Sequence, residues 1–525
     1  MVNQLLRYYH TVKYLKWIQF KYRLIYLWKS KVSFFKKSDP SIAYLSSQND
    51  LKIVASIPSR IAWEGENRFN FLNIEHQFKN EIDWNFSKNG KLWTYNLNYF
   101  EFLDQPNISK QEGLNLIHDF IQNEKNIKDG MESFPISLRV IFWIKFLIKH
   151  QIRDEGIDQS LQRQLQALKL NLEYHLLGNH LLENSFGLLF GAVYFDDDSL
   201  LEIAKRILFP QLEEQILLDG AHYELSPMYH QLILFRILDS VNLLQKKSSQ
   251  KTEKLLSVFR KKAELMLAWL TEITWSNGDL PRLNDSASAI APTTVELQSY
   301  AKELGLQIVK IKIKECGYRK FSYEDYEAIV DVGQIGPDYI PGHAHSDTFN
   351  IVLHFRGQPI LVDVGISTYE KNKRRHLERS TASHNTVMID GKEQSEIWGG
   401  FRVARRAKVI FLEETSNRLF AIHDGYQRIK CQHQRTFIFG ENDLQINDKI
   451  LGGKSAMAFF HFHPDIQVIL QDSKIQGDFG TMQFENHSNI YLEKFQYANG
   501  FNQLQTAQKI VIHFKHSLNT KISFS

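Results

Sequence analysis

Between Gly342 and Asn385 the chain gathers three histidines and two aspartates: Gly342-His343-Ala344-His345-Ser346-Asp347, then Asp363, then Ser383-His384-Asn385. The texture around them predicts β-strands and turns. A His-x-His pair at alternate strand positions sends both rings to one face, because strand side chains alternate with period two. Asp363 closes the apolar run Pro359-Ile360-Leu361-Val362, and His384 stands just before Thr386-Val387-Met388-Ile389. Adjacent strands can therefore bring these polar ends together. Two imidazoles and a carboxylate make a plausible Zn2+ set, and a histidine left over beside it could serve as a base. Twenty histidines in the chain make some clustering unsurprising. A cluster at the ends of apolar strands is less easily dismissed.

Three earlier segments also carry chemistry. Gly178 interrupts an apolar helical pattern and is followed by Asn179-His180-Leu181-Leu182-Glu183. Asn179 suits an N-cap, and His180 and Glu183, three apart, share a helical face. A capped first turn with a dipole-favoured glutamate accounts for Asn179 and Glu183 but leaves His180 idle. In Asp219-Gly220-Ala221-His222-Tyr223-Glu224-Leu225-Ser226-Pro227-Met228-Tyr229-His230, Ser226 and Pro227 fit N-cap and N1. Tyr229 then occupies the first helical turn, its phenol facing either a cleft or the core. The turn-rich loop Trp275 to Asp285 carries Arg282, either a solvated side chain or a grip on an anionic sugar.

The elements that must position these groups fall into two halves. Residues 112–305 repeat apolar side chains at three and four, in Leu114 to Ile121, Ile136 to Ile148, Leu161 to Leu177, Leu200 to Leu218, Tyr229 to Leu244 and Leu255 to Ile273. From Tyr326 onward the segments are short, β-branched and alternating, with Gly, Asn and Asp between them. Helices followed by strands predict separate layers rather than alternating βαβ units. The helices come in hairpin-like pairs, which suits an α/α toroid or solenoid, and the rest is long enough for a β-sandwich. The expected fold is multidomain α+β: a leader at 1–40, a helical toroid at 41–320 and an antiparallel β-sandwich at 321–525.

Composition bounds the rest. The chain has 525 residues, 43% hydrophobic, with a formal net charge of +4. That balance is too mild to imply nucleic acid, though a basic groove could serve an acidic ligand. Cys316 and Cys431 form no CxxC pair and no disulfide framework. Residues 1–38 hold Arg7, Lys13, Lys16, Lys21, Arg23, Lys29, Lys31, Lys36 and Lys37 and no acid. Without a continuous apolar core or a small-residue cleavage site, this leader reads neither as a classical signal peptide nor as a membrane span. A basic amphipathic helix in peripheral contact with a membrane and a helix packed on the protein with a solvated basic face both fit. A cytoplasmic or inner-membrane-associated location is the favoured expectation, with the periplasm as the alternative. The oligomeric state is left open.

Taken together, Asn179-His180-x-x-Glu183, Asp219-Gly220 with Ser226-Pro227-Met228-Tyr229-His230, and Gly342 to Asp347 resemble the heparinase II/III family of polysaccharide lyases. Leu361-Val362-Asp363-Val364-Gly365 and Arg379-Ser380-Thr381-Ala382-Ser383-His384-Asn385-Thr386-Val387 continue the resemblance. Upstream, Ile82-Asp83-Trp84-Asn85, Leu92 to Leu97 and Phe134 to Arg139 look like the subgroup found beside bacterial surface-polysaccharide genes. The resemblance implies an N-terminal (α/α) toroid, a C-terminal antiparallel β-sandwich and a cleft between them. It implies an acidic polysaccharide as substrate. His180 and Glu183 would lie under the substrate carboxylate with Asn179 as hydrogen-bond donor, Tyr229 would be the acid, and His343 would reach in from the β-domain. Which of Tyr229 and His343 is the base stays open. His345, Asp363 and His384 would bind a structural Zn2+, and Tyr369 and Arg379 would touch substrate.

The implied chemistry is β-elimination at a 4-linked uronate. The C5 proton beside a charged carboxylate is a very weak acid, so hydrogen bonds must stabilise the enolate-like charge as it forms. A base takes that proton and an acid protonates the departing C4 oxygen. Two rival classes remain: a glycoside hydrolase, needing two opposed carboxylates from among Glu183, Glu224, Asp279 and Asp285, and a glycan-binding or assembly protein without catalysis.

Overall fold

The computed structural model describes residues 2–32, 51–246 and 250–525. The expected leader boundary at residue 40 lies outside them. Among the described residues the leader holds two helices, α1 (Val2–Val12) and α2 (Trp17–Val32). The helical half continues with α3 (Lys91–Tyr99), α4 (Lys110–Asn123), α5 (Ser133–His150), α6 (Glu155–Leu170), α7 (Gly178–Phe195), α8 (Asp198–Gln215), α9 (Pro227–Gln245), α10 (Glu253–Ile273) and α11 (Thr294–Glu303).

These helices form an (α/α) toroid. Helices α5, α7 and α9 pack on one another along the inside, and α6, α8 and α10 pair with them from outside. The division follows the sequence. Helix α5 is apolar nearly all round, and its run Val140 to Leu147 is buried, as a helix enclosed on every side must be. Helix α10 has one apolar stripe and an exposed charged face. Two helices end earlier than their apolar period predicts. The run from Leu161 to Leu177 stops being helical at Leu170, and residues 171–177 form a loop whose Glu173 amide is bound by Asn184 Oδ1 at 2.8 Å. Helix α8 ends at Gln215, before Leu218.

From Tyr318 the chain is β, apart from a short helix α12 (Lys373–Glu378) and single 3-10 turns. An eight-stranded antiparallel sheet runs, in spatial order, through Val409–Glu414, Arg418–His423, Gln432–Phe439, Asp443–Leu451, Ser517–Phe524, Gly480–Glu485, Lys474–Gly477 and Ile469–Gln471. Facing it are a four-stranded sheet of Asn489–Gly500, Gln503–Phe514, Ala456–His461 and Val387–Ile389, and another of Tyr318–Ser322, Tyr326–Asp331, Ile351–Phe355 and Gln358–Leu361. One apolar core joins residues of all three. Register follows the alternating pattern: Gln432–Phe439 alternates half-buried and buried side chains along its length.

The segment 343–347 is not a strand. It is irregular backbone ahead of Ile351–Phe355, so strand alternation does not orient His343 and His345. Asp363 does follow the strand Gln358–Leu361, and His384 does precede Val387–Ile389.

Candidate active site at the domain seam

Four loops meet where the toroid faces the sandwich, and each carries a residue in left-handed backbone. Leu177 (φ 66°) precedes Asn179, Leu225 (φ 57°) precedes Ser226, Asn284 (φ 53°) precedes Asp285, and Gly365 (φ 72°) follows Asp363. A branched residue such as Leu177, with ψ −152°, pays for that conformation. It is also the N-cap of α7, so the helix begins ahead of Asn179 and that residue is not the cap. The Asn179 amide instead donates to Glu224 Oε1 at 3.3 Å. Gly178 is required here, because a Cβ would stand 3.0 Å from that oxygen and 2.9 Å from Ile340.

The loops are tied to one another. Asn284 accepts the His345 amide at 3.0 Å and donates to the Leu225 carbonyl at 3.1 Å and to Tyr318 Oη at 3.0 Å. Ser226 caps α9 by accepting the Tyr229 amide, and its hydroxyl donates to the Asp285 carbonyl at 2.8 Å. Tyr229 thus occupies the first turn of α9, as the Ser-Pro signal predicts.

Tyr229 and His343 meet from opposite domains, with ring centroids 3.9 Å apart. The Tyr229 hydroxyl lies 3.2 Å from that of Tyr369. Burial pushes the Tyr229 phenol well above its ordinary value, so it stays protonated. His343 Nδ1 is 2.8 Å from Asp285 Oδ2, and its Nε2 is 3.5 Å from Glu224 Oε2. Burial raises Glu224, and His343 and His180 pull the other way.

Asp285 is the hub. Its Oδ2 holds His343, its Oδ1 holds His345 Nε2 at 2.9 Å, and Arg375 of α12 grips both oxygens, with Nη2 2.6 Å from Oδ2. Both Asp285 and Arg375 are fully buried. Burial opposes the charge on Asp285, but Arg375 and the two histidines override it and hold the carboxyl well below the usual range. Arg375 also lies against the rings of Tyr369 and Phe401.

His180 is partly exposed on α7, its Nδ1 3.1 Å from Glu173 Oε1 and its ring 4.6 Å from that of Phe134. Burial lowers the affinity of His180 for a proton, but Glu173 outweighs it and the net shift is upward. Glu183 is buried in the toroid with its carboxylate 3.1 Å from Arg236 Nε, so it braces α7 against α9 and is spent on that pair.

Arg379 is likewise not at the cleft. It is fully buried and donates to the carbonyls of Ala344 and Gly400 at 2.9–3.1 Å, fixing the loop that carries His343 and His345. Burial pulls its guanidinium down to about 9. Arg282 reaches the sandwich, with Nη1 2.6 Å from Tyr497 Oη, and lines a cavity of about 340 Å3 on the Met228 side of α9. Tyr369 alone of the three expected substrate contacts stands beside Tyr229.

His345, Asp363 and His384 are all buried, and they offer ligand atoms within 4.8 Å of one another. His345 Nδ1 and His384 Nε2 are both buried without a hydrogen-bond partner. The other ring nitrogens are bound, to Asp285 at 2.9 Å and to Asp363 at 2.8 Å. Those contacts select the tautomers that leave lone pairs on the orphaned nitrogens. Burial lowers His345 to about 4, which keeps it neutral. Burial also opposes a proton on His384, but Asp363 raises it, so a cation would compete with that proton. The donor set fits a divalent metal.

A helical toroid followed by a β-sandwich, each half matching a known domain, defines the class of protein. Residues 133–304 match the heparinase II/III N-terminus and residues 310–525 match the heparinase II/III-like C-terminal domain. The chain belongs to the heparinase II/III-like family. It is 24% identical over 257 residues to a heparin-sulfate lyase of Pedobacter heparinus, a match covering 43% of this chain and 38% of that protein. The matched segment thus spans about two fifths of the curated relative. Among solved structures, heparinase III superposes with a TM-score of 0.67 at 14% identity, over 94% of this chain and 88% of that one. A heparan sulfate lyase from Pedobacter heparinus superposes with a TM-score of 0.59 at 15% identity, over 87% and 81%. At such identities these superpositions establish the fold.

Sequence reasoning missed Arg375 and Glu173 and weighed Asp285 only as a hydrolase carboxylate. The available signal was the buried-polar demand of the histidines themselves, each of which needs a partner to fix its tautomer.

Proposed function

We propose that this protein is a polysaccharide lyase that cleaves a uronate-containing acidic polysaccharide by β-elimination. The observation that carries the reading is the meeting of Tyr229 and His343 across the seam, with His343 Nδ1 committed to Asp285. His343 then offers Nε2 to the C5 proton. Tyr229, kept protonated by burial, gives its proton to the departing C4 oxygen. His180, whose proton Glu173 favours, and the Asn179 side chain stabilise the charge gathering on the substrate carboxylate. The heparin-sulfate and heparan sulfate lyases among its relatives support a sulfated glycosaminoglycan or a related uronate polymer as the substrate class.

Bound at His345, Asp363 and His384, a Zn2+ would supply a structural cross-link between loops. Asp285 orients His345 and Asp363 orients His384 for that task.

The hydrolase reading is disfavoured by charge placement. Glu183 is bound by Arg236, Asp285 by Arg375, and Asp279 sits in a turn with Asn277. That leaves Glu224 without an opposed partner among the four.

Elimination leaves a double bond conjugated to the uronate carboxylate, so the product absorbs in the ultraviolet. Against a panel of uronate polysaccharides the protein should generate that absorbance, and Tyr229→Phe should reduce the rate by about 10²–10⁴-fold. New reducing ends without absorbance would make it a hydrolase, and no cleavage of any panel member would make it a binding protein.

A further inference from the structure

Helix α2 has two unlike faces. Gln19, Tyr22, Tyr26 and Lys29 turn inward: Gln19 donates to the Leu176 carbonyl at 3.1 Å, Lys29 to that of Leu170 at 2.7 Å, and Tyr22 stacks on Tyr174 at 4.5 Å. Trp17, Leu24, Leu27 and Trp28 turn outward, with Trp17 77% and Trp28 65% exposed. Helix α1 repeats the pattern. Arg7 pairs with Glu396 at 3.0 Å, Thr11 accepts from Trp398 Nε1, and Tyr8 packs edge-on against Trp398. Leu5, Tyr9 and Val12, at i, i+4 and i+7, face solvent.

The inward contacts fix the pair of helices to both domains, so the outward apolar face is held in place. Exposing several large apolar side chains in one patch marks an interaction site. Its charge identifies the partner. Nine of the chain's 63 basic residues and none of its 59 acidic residues lie in residues 1–38, so the remainder of the chain is net acidic. Lys13, Lys21 and Arg23 form no ion pair among the described residues. Lys21 shares the outward face of α2 with Trp17, Leu24 and Trp28. A second copy meeting this face by two-fold symmetry would set positive charge against positive charge. An anionic lipid surface complements both the charge and the tryptophans, which favour the boundary between headgroup and acyl chain. No helix among the described residues is long and apolar enough to cross a membrane.

We propose that α1 and α2 form a built-in dock that lays the protein on an anionic membrane surface. This does not rest on the lyase reading. The test is flotation of the full chain with vesicles of phosphatidylcholine alone and with equal parts of phosphatidylglycerol, at low and high salt. Binding should require the anionic lipid and weaken with salt. Lys13→Gln with Lys21→Gln should weaken partitioning roughly 30-fold, each basic residue near such a surface contributing about 1 kcal/mol. Trp17→Ala with Trp28→Ala should also release the protein, and both double variants should keep the wild-type thermal midpoint. The proposal is overturned if wild-type protein stays off the anionic vesicles or binds neutral ones equally well. It is equally overturned if neither variant weakens binding, or if sedimentation shows a dimer that the tryptophan variant dissociates.

Discussion

Replacing Asp285 with Asn tests the hub directly. Four donors converge on this carboxylate: His343 Nδ1 at 2.8 Å, His345 Nε2 at 2.9 Å and two nitrogens of Arg375. An amide keeps one acceptor oxygen and turns the other position into an N–H group facing donors. It also leaves the Arg375 guanidinium buried without its counter-ion. Breaking a fully buried ion pair from one side costs about 3–5 kcal/mol, a large part of the roughly 5–15 kcal/mol that holds a typical native state. The urea midpoint should fall accordingly, and turnover should drop by at least about 10²-fold as His343 loses its fixed tautomer. Adding Arg375→Met removes the orphaned charge, because a buried pair can be exchanged for apolar packing at little cost. The double variant should therefore regain much of the lost stability and none of the activity. A wild-type midpoint in Asp285→Asn, or no recovery in the double variant, refutes the reasoning.

Further outcomes follow from the same geometry. His345→Ala should strip bound zinc from the purified protein, and unchanged metal content would remove the metal assignment. Because Glu173 raises His180, activity that depends on a cationic His180 should fade as pH rises through that raised value. Glu173→Gln should shift this alkaline limb of kcat/KM to lower pH, and an unmoved limb would separate His180 from the chemistry. His230 is fully buried as a neutral ring, placed to donate to the Met266 carbonyl at 3.0 Å and to accept the His222 amide at 3.2 Å, and burial lowers it to about 3. The unfolded chain takes this proton near pH 6.5, the folded one only near 3, so stability should fall as pH drops across that window. The loss approaches roughly 5 kcal/mol, and His230→Gln should flatten that part of the unfolding profile.

The sequence carried the fold because its two periodicities are segregated, 3.6 before residue 305 and 2.0 after 318. The place of Tyr229 in the first helical turn was legible through its Ser226-Pro227 cap, and Asp363 and His384 were legible as groups flanking strands, whereas the grouping of His345 with them came from the family resemblance. Where the geometry depends on residues far apart, sequence spacing gave no purchase. Asp285 and Arg375 are 90 positions apart and join only after both loops fold. Arg379 and Arg375 lie one helical turn apart on the same basic stretch, and burial sets Arg379 on backbone carbonyls and Arg375 on the carboxylate. Glu183 read as a first-turn residue facing a ligand, because nothing local announces Arg236 on another helix. The His-x-His spacing led to two rings that do share a neighbour, but through the wrong backbone, since Asp285 rather than strand alternation aligns them.

Asp285 gives one oxygen to each neighbour, Oδ1 to His345 and Oδ2 to His343. A carboxylate is planar and rigid, so any rotation that improves one contact degrades the other. The His345 ring and the cleft-facing His343 ring are therefore geared together through a single hinge of three atoms. Substitutions on either side will not add independently. Drift in one loop must be matched by drift in the other, and a designer wishing to retune the cleft cannot do so while holding the cluster of His345, Asp363 and His384 fixed.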